Sequence, residues 1–255
     1  MTVALVTGAA HGIGQAIAVA LARDGFDVGC VDVAAEADAR DTVDAIKASG
    51  RAVRRFELDL ADASRHADLV QSVEAALGPI SCLVNNAGVT SLERGDLLAL
   101  GTQSFDRTLA VNLRGTFFLT QAVARSMLAS RERAPGDYRS IITITSVNAD
   151  IVGDNRGDYC MSKAGMAMGS KLFAARLAGE GIHVFEVRPG IIRTAMTAPA
   201  AAKYDRLIDG GGVPIARWGA PDDVATTVAT LARGGLGFAT GEVIHVDGGL
   251  HLHRV

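Results

Sequence analysis

The fold of this chain is decided by the stretch VALVTGAAHGIG at residues 3–14. It opens with an apolar run typical of a buried strand, and Ile13, Ile17 and Leu21 then recur at helical spacing. The glycines between them lack side chains, so a pyrophosphate can approach the backbone N–H groups at the positive end of the helix. The stretch therefore predicts a strand, a turn and a helix that bind a dinucleotide. Because the spacing is Gly-x-x-x-Gly-x-Gly and not the commoner Gly-x-Gly-x-x-Gly, a tight turn that needs glycine only for packing is the alternative.

The strand-and-helix unit repeats along the chain. Further strands are predicted at residues 28–33, 53–58, 82–84, 141–145, 182–187 and 243–246, and the main later helices at 103–129, 159–177 and 221–232. Seven strands that alternate with helices favour right-handed crossovers and a parallel sheet covered on both faces. We therefore expect a doubly wound α/β fold of the Rossmann type, with residues 1–255 as one dinucleotide-binding and catalytic domain. Residues 195–214 are long and rich in Gly and Ala, which predicts a mobile lid.

Composition narrows the classes of partner. The 255 residues are 49% hydrophobic and 21% charged with a net charge of -3, which is typical of a globular protein and disfavours nucleic-acid binding. Cys30, Cys82 and Cys160 are an odd number without a C-x-x-C pair, which argues against a disulfide framework or a zinc site and favours a reducing compartment. Without a signal-like start or a spanning apolar run, a soluble cytoplasmic protein with no membrane partner is expected.

Asp32 ends the second predicted strand and bears on the choice of cofactor. Its carboxylate can accept hydrogen bonds from the ribose hydroxyls of an adenosine, and its charge repels a 2′-phosphate. Residues 33–36, which read VAAE, supply no Arg or Lys to attract that phosphate. The sequence therefore favours NAD, with NADP less favoured. The alternative is that Asp32 only caps the turn that follows it.

Tyr159, Lys163 and Ser146 are the candidate reacting group. Tyr159 and Lys163 are one turn apart on a predicted helix and so share a face. Bringing the pKa of a tyrosine from about 10 to near 7 takes roughly 4 kcal/mol, about what one ammonium supplies at ~4 Å with an effective dielectric near 20. Ser146 follows a predicted strand at the carboxyl edge of the sheet, where open α/β sheets bind ligands. The three side chains are thus predicted to meet at one site.

At this point the sequence resembles the short-chain dehydrogenases/reductases over essentially the whole chain. The motifs that carry the resemblance stand in that family's order and spacing: Thr7-Gly8-x-x-x-Gly12-x-Gly14, Asn85-Asn86-Ala87-Gly88, Asn112, Ser146, Tyr159-x-x-x-Lys163 and Pro189-Gly190. The glycine spacing that departs from the commoner fingerprint is this family's own.

The resemblance implies roles for four catalytic residues. Tyr159 would be the general acid/base and Ser146 would hydrogen-bond the reacting oxygen. Lys163 would lower the pKa of Tyr159 and hold the nicotinamide ribose, and Asn112 would anchor a proton-relaying water. The alternatives are purely structural roles: an Asn before a turn can serve only to form the turn, and a Ser at a strand end can serve only as a cap.

The resemblance also implies a cofactor cleft and a homotetramer. The cleft would be formed by Gly8, His11, Gly12, Ile13, Gly14, Asp32, Asp59, Leu60, Asn86, Ala87, Gly88, Tyr159, Lys163, Pro189, Gly190, Ile192 and Thr194. The tetramer would pack the helices at 103–129 and 159–177 against partner copies. No metal site is expected, since His251 and His253 have no Cys or carboxylate cluster beside them.

The substrate candidates are Asn148, Arg156 and Arg188. Residues 147–156 are more polar than a lipid pocket requires, which favours a small polar alcohol or ketone such as a sugar, polyol or hydroxy acid. Arg188 departs from the small or amide residue usual in the family before Pro-Gly, and it either contacts substrate or pairs with Glu186.

The predicted function is that of an NAD-dependent oxidoreductase that interconverts a secondary alcohol and its ketone. Three alternatives stay open: a 3-oxoacyl thioester reductase of the same family, a nicotinamide-binding regulatory protein without activity, and a sugar-nucleotide epimerase or dehydratase. The full set of candidate catalytic residues favours an active oxidoreductase over a regulatory protein.

Overall fold

The computed structural model describes residues 2–130 and 138–252 and places seven strands in one sheet. The strands are β1 (Val3–Thr7), β2 (Asp27–Asp32), β3 (Val53–Glu57), β4 (Ile80–Asn85), β5 (Arg139–Ile144), β6 (Ile182–Pro189) and β7 (Val243–Val246). Their order is β3-β2-β1-β4-β5-β6-β7 with every neighbouring pair parallel, which confirms the predicted Rossmann-type sheet. The order reverses between β1 and β4, so their carboxyl ends form the crevice where such sheets bind ligands.

Helices cover both faces of the sheet. They are α1 (Gly12–Arg23), α2 (Arg40–Ala48), α3 (His66–Leu77), α4 (Thr102–Thr108), α5 (Thr116–Ala129), α6 (Gly157–Leu177), α7 (Ala201–Asp209) and α8 (Pro221–Ala232). Successive β1 side chains point to opposite faces, so Ala4 joins the apolar cluster under α1 and α8, and Leu5 the cluster under α3 and α5. Within the described residues no helix is long and apolar enough to cross a membrane.

Two segments near the site differ from the sequence prediction or add to it. The helix predicted at 103–129 is two helices, because a wider π-helical turn at Leu109–Gly115 separates α4 from α5. The segment 195–214, predicted to be a lid, contains α7. Tyr204 and Ile208 of that helix pack in a small apolar cluster of their own. The mobility of the segment stays a prediction.

Candidate active site

A cavity of about 720 Å³ opens at the carboxyl edge of the sheet, at the crevice between β1 and β4. Its lining includes these predicted cofactor and catalytic residues: Gly8, His11, Gly12, Ile13, Gly14, Asp32, Asp59, Leu60, Asn86, Ala87, Gly88, Ser146, Tyr159, Lys163, Pro189, Gly190, Ile192 and Thr194. Asn112 lies buried behind the wall, and Asn148, Arg156 and Arg188 lie outside the lining.

The glycine loop forms one end of the cavity and leaves its backbone bare. A Cβ added at Gly14 would lie 1.9 Å from the Gly8 carbonyl oxygen and 2.5 Å from Asn86 Nδ2. Asn86 Nδ2 donates hydrogen bonds to the carbonyl oxygens of Thr7 (3.0 Å) and Gly8 (3.1 Å), so it fixes the loop against β1. A side chain at Gly14 has no space, and the α1 N-terminus faces the cavity as a pyrophosphate site requires.

Asp32 both lines the cavity and organises the loop beside it. Its Oδ2 accepts a hydrogen bond from Ala10 N (2.9 Å), and its Oδ1 accepts one from Ala34 N (3.0 Å). The turn-capping alternative therefore describes a real contact, and the carboxylate also lines the cavity, so a role in binding the ribose stays a prediction.

Residues 33–36 supply no cation, but one approaches this turn from the neighbouring strand. Arg55 of β3 donates to the Ala34 carbonyl oxygen and lies 3.4 Å from a Glu57 carboxylate oxygen. The sequence stretch after Asp32 could not reveal this, because Arg55 arrives from the neighbouring strand. Its contacts with Ala34 and Glu57 hold the guanidinium beside the loop.

Tyr159, on the first turn of α6, is partly exposed to the cavity. Burial raises its pKa above the ordinary value, while a hydrogen bond with Ser146 and the charge of Arg156 oppose that rise. That Lys163 lowers this pKa during the reaction stays a prediction. The Lys163 ammonium lies 5.7 Å from the ring centroid, and the loss of solvation of the phenolate outweighs the nearby charges.

Lys163 is buried one turn further along α6. Its Nζ donates to the Ile144 carbonyl oxygen at 3.0 Å, at the end of the strand that leads to Ser146. Burial lowers the pKa of Lys163 to about 8, and the Glu186 carboxylate acts in the opposite direction. A lysine with this pKa can release and regain a proton near neutral pH, as a proton relay requires.

Asn112 is positioned by the π-helical turn. Its Oδ1 accepts from Val89 N (2.8 Å), and its Nδ2 donates to Val89 O (2.9 Å) and Ser162 Oγ (3.0 Å). Asn112 therefore joins the chain after β4 to α6. A Cβ added at Gly88 would lie 3.2 Å from Asn112 Oδ1 and 3.6 Å from Lys163 Nζ. Both polar groups therefore lie next to Gly88, which is part of the cavity wall.

Sequence reasoning missed Asp158, the residue before Tyr159. This fully buried carboxylate accepts hydrogen bonds from Ser91 Oγ, Ser104 Oγ (2.6 Å), Thr108 Oγ1 (3.1 Å) and Tyr159 N (2.8 Å). Burial alone would raise the pKa of Asp158, but these donors hold it below its usual range. These hydrogen bonds connect α4 to the start of α6 and so fix the position of Tyr159 at the first turn of that helix. A charged residue in the first turn of a helix was the available signal.

The predicted substrate residues separate into different environments. Arg188 Nε donates to Glu186 Oε1 at 2.6 Å, and the same oxygen accepts from Thr145 Oγ1 at 2.6 Å. The contacts of Arg188 are thus those of the pairing alternative. Asn148 Nδ2 donates to Ile151 O at 2.9 Å within its own loop. Arg156 lies nearer the reacting group, with its Cζ 5.8 Å from the Tyr159 ring centroid.

The histidines near the carboxyl terminus are engaged with each other and with a carboxylate. His251 Nδ1 lies 2.8 Å from Asp247 Oδ2, and its ring stacks on His245 with centroids 3.9 Å apart. In residues 2–130 and 138–252, no group of three or more His, Cys, Asp or Glu side chains is placed to hold a metal ion. His253 lies outside the described residues.

Fold and site together define a nicotinamide-dependent oxidoreductase, and the comparison with protein families agrees. A family model described as enoyl-(acyl carrier protein) reductase matches residues 8–251. The chain belongs to the short-chain dehydrogenase/reductase family and is an oxidoreductase of CH–OH groups.

Three members of the family illustrate which proteins this chain is similar to. A 3-oxoacyl-[acyl-carrier protein] reductase from Brucella melitensis in complex with NAD is 49% identical, with a TM-score of 0.96, and the match covers 100% of this chain and 98% of that one. The (3R)-3-hydroxyacyl-CoA dehydrogenase of Rattus norvegicus is 36% identical over 98% of this chain and 96% of its own. A 2-deoxy-d-gluconate 3-dehydrogenase candidate from Agrobacterium tumefaciens with bound NADP is 33% identical, with a TM-score of 0.85, over 97% and 95% of the two chains.

Proposed function

We propose that this chain is an NAD-dependent oxidoreductase that interconverts a secondary alcohol and its ketone at C3 of an acyl or acid substrate. The observation that carries the proposal is the placement of Ser146, Tyr159 and Lys163 on one wall of the cavity that begins at the glycine loop. The names of the three relatives share the position of the reaction, since each places the oxo or hydroxyl group at C3. Two of the three names, a 3-oxoacyl reductase and a 3-hydroxyacyl-CoA dehydrogenase, support the 3-oxoacyl alternative, and the third names a sugar acid. All three name redox chemistry and not that of an epimerase or dehydratase.

Each of the candidate catalytic side chains has a separate role in this reaction. NAD, when bound, supplies the acceptor for the hydride that leaves C3. Ser146 and Tyr159 hold the substrate oxygen, and the Tyr159 phenolate takes the hydroxyl proton as the C–H bond breaks. In the reverse direction the Tyr159 phenol returns that proton to the ketone oxygen. Lys163 passes protons between Tyr159 and the region that Asn112 borders.

A substrate panel tests the proposal. The panel holds 3-hydroxy acids, their methyl esters, 3-hydroxyacyl-CoA compounds and simple polyols, each with NAD, and NADH absorbance reports turnover. The proposal expects the 3-hydroxy compounds to exceed the polyols in kcat/KM. A preference for polyols, or no NADH from any compound at any pH between 6 and 10, contradicts it.

Asp32 is expected to set the preference for NAD. Asp32→Ala removes both an acceptor for the ribose hydroxyls and a charge that repels a 2′-phosphate, so the NAD:NADP ratio of kcat/KM should fall by roughly tenfold, about 1.4 kcal/mol. Steady-state kinetics with both cofactors measures the ratio. Asp38→Ala removes the same charge from an exposed position in the following turn and should leave the ratio unchanged. Preference for NADP in the unaltered protein contradicts our interpretation of Asp32.

We also propose that the protein is a homotetramer. Phe118 on α5 and Met168 and Leu172 on α6 are exposed, with Leu172 58% accessible, and these are the helices that the family resemblance places at an interface. Covering such side chains would favour association. Light scattering at micromolar concentration should give about four times the 26.4 kDa chain mass. A monomeric mass would overturn this proposal.

A further inference from the structure

Arg156 lies next to Tyr159, although it is outside the lining of the active-site cavity. It directly precedes α6, so along the helix it lies about one turn before Tyr159, whereas Lys163 lies one turn after it. Its Cζ is 5.8 Å from the Tyr159 ring centroid, and its Nη1 donates to Tyr204 Oη of α7 at 3.3 Å. The guanidinium therefore lies between the reacting side chain and the segment predicted to be a lid.

The charge of Arg156 has no counter-ion among the described residues. Its Nε is buried without a hydrogen-bond partner, and the described part of the chain places no carboxylate within ion-pair distance of this guanidinium. Arg188 offers a contrast, because it is satisfied by Glu186. A partly buried guanidinium with free donors is unfavourable unless an anion joins it. The side chain packs closely against Gly153, since a Cβ added there would lie 2.8 Å from Arg156 Nε.

We propose that Arg156 binds the C1 carboxylate of the substrate, so that the preferred substrate is a free 3-hydroxy or 3-oxo acid and not its thioester. This inference rests on the proposed function and chooses between the acid and thioester forms of that substrate. An anion so close to Tyr159 must be separated from the reacting carbon by few bonds, as C1 is from C3. The phosphates of coenzyme A are many bonds away from that carbon and do not fit this position. A planar guanidinium suits a carboxylate because it can donate two parallel hydrogen bonds.

Three probes with the same carbon skeleton test the proposal: 3-hydroxybutyrate, methyl 3-hydroxybutyrate and 3-hydroxybutyryl-CoA, each with NAD. We expect kcat/KM of the unaltered protein for the acid to exceed that for the ester by roughly 10- to 100-fold, the range of a charge-assisted contact. Arg156→Met should remove most of that ratio by lowering kcat/KM for the acid alone. Arg156→Lys, which keeps the charge, should retain part of the preference.

Two further variants separate charge recognition from structure. Arg206→Met removes an equal charge from the exposed face of α7 and should leave the acid-to-ester ratio unchanged. Tyr204→Phe deletes the hydrogen-bond partner of Arg156 but not the cation, so a clear acid preference should persist. Melting temperatures of all variants show whether they fold.

The outcomes distinguish the inference from the function on which it rests. Equal kcat/KM for acid and ester in the unaltered protein, or a preference for the thioester, overturns the role of Arg156 but leaves the C3 oxidoreductase standing. An equal loss on acid and ester in folded Arg156→Met also overturns it. If none of the three probes yields NADH, the proposed function fails, and this inference fails with it.

Discussion

Tyr159→Phe is expected to lower turnover by roughly 10²–10⁴-fold and to leave NADH affinity nearly unchanged. The substitution keeps the ring that lies between Arg156 and Lys163 but deletes the hydroxyl that exchanges the proton with substrate. Steady-state kinetics in both directions and a fluorescence titration with NADH measure the two effects. The matched control is Tyr138→Phe, at a tyrosine outside the cavity lining, which should keep full turnover.

The same assignment fixes the sign of the pH dependence. Oxidation needs the Tyr159 phenolate, and burial raises the pKa of this group, so the oxidation rate of the unaltered protein should climb through the alkaline range. Reduction needs the phenol, so its rate should fall over the same range. Near-normal turnover in Tyr159→Phe, or an oxidation rate that falls as pH rises from neutrality, would contradict the assignment.

Gly14→Ala is expected to have the second large effect, on stability and cofactor binding together. The new methyl group would lie 1.9 Å from the Gly8 carbonyl oxygen, and backbone cannot move aside as a flexible side chain can. Overpacking of this kind costs about 3 kcal/mol or more, which for a chain of this size lowers Tm by roughly 6–12 °C. We also expect NADH affinity to fall by more than about tenfold, because the displaced loop carries the N–H groups that are predicted to bind the pyrophosphate.

A glycine with open space around it provides the control for Gly14. A Cβ at Gly179 meets nothing within 4 Å, and the residue is exposed in the short 3-10 helix Ala178–Glu180 after α6. Gly179→Ala should therefore leave NADH affinity unchanged and keep Tm at or slightly above that of the unaltered protein. If Gly14→Ala melts and binds NADH as the unaltered protein does, the close approach of the loop to α1 is not what shapes the cofactor site.

The sequence predicted the sheet well because apolar runs and helical periodicity are local signals. All seven strands lie within one or two residues of their predicted ends, and the predicted parallel pairing follows from the alternation of strands and helices. The break at Leu109–Gly115 escaped prediction, since apolar residues continue at near-helical spacing through it. What distinguishes the π-helical turn is the pair of hydrogen bonds between Asn112 and Val89, which only the folded chain brings together.

The sequence predicted which residues line the candidate site better than it predicted the charges and pKa values there. Asp32 and Tyr159 were predicted from their positions and both line the cavity, but the charges around them come from distant parts of the chain. Arg55 reaches the Asp32 loop from a neighbouring strand, and Glu186 faces Lys163 from β6. The pKa of Tyr159 depends on burial, which spacing on a helix does not reveal. The choice between Arg156 and Arg188 likewise depended on which of them has a carboxylate beside it.

The account depends most directly on hydride transfer from C3 of the substrate to the nicotinamide cofactor. The measurement is the oxidation of 3-hydroxybutyrate and its methyl ester, each deuterated at C3, with NAD and the purified protein, followed by mass analysis of the recovered cofactor. We predict one deuterium in each NADH that the unaltered protein forms. With Tyr159→Phe, a reaction time that allows the unaltered protein a single turnover should yield essentially no deuterated NADH. Recovered cofactor without deuterium, from protein that binds NADH, would contradict the account.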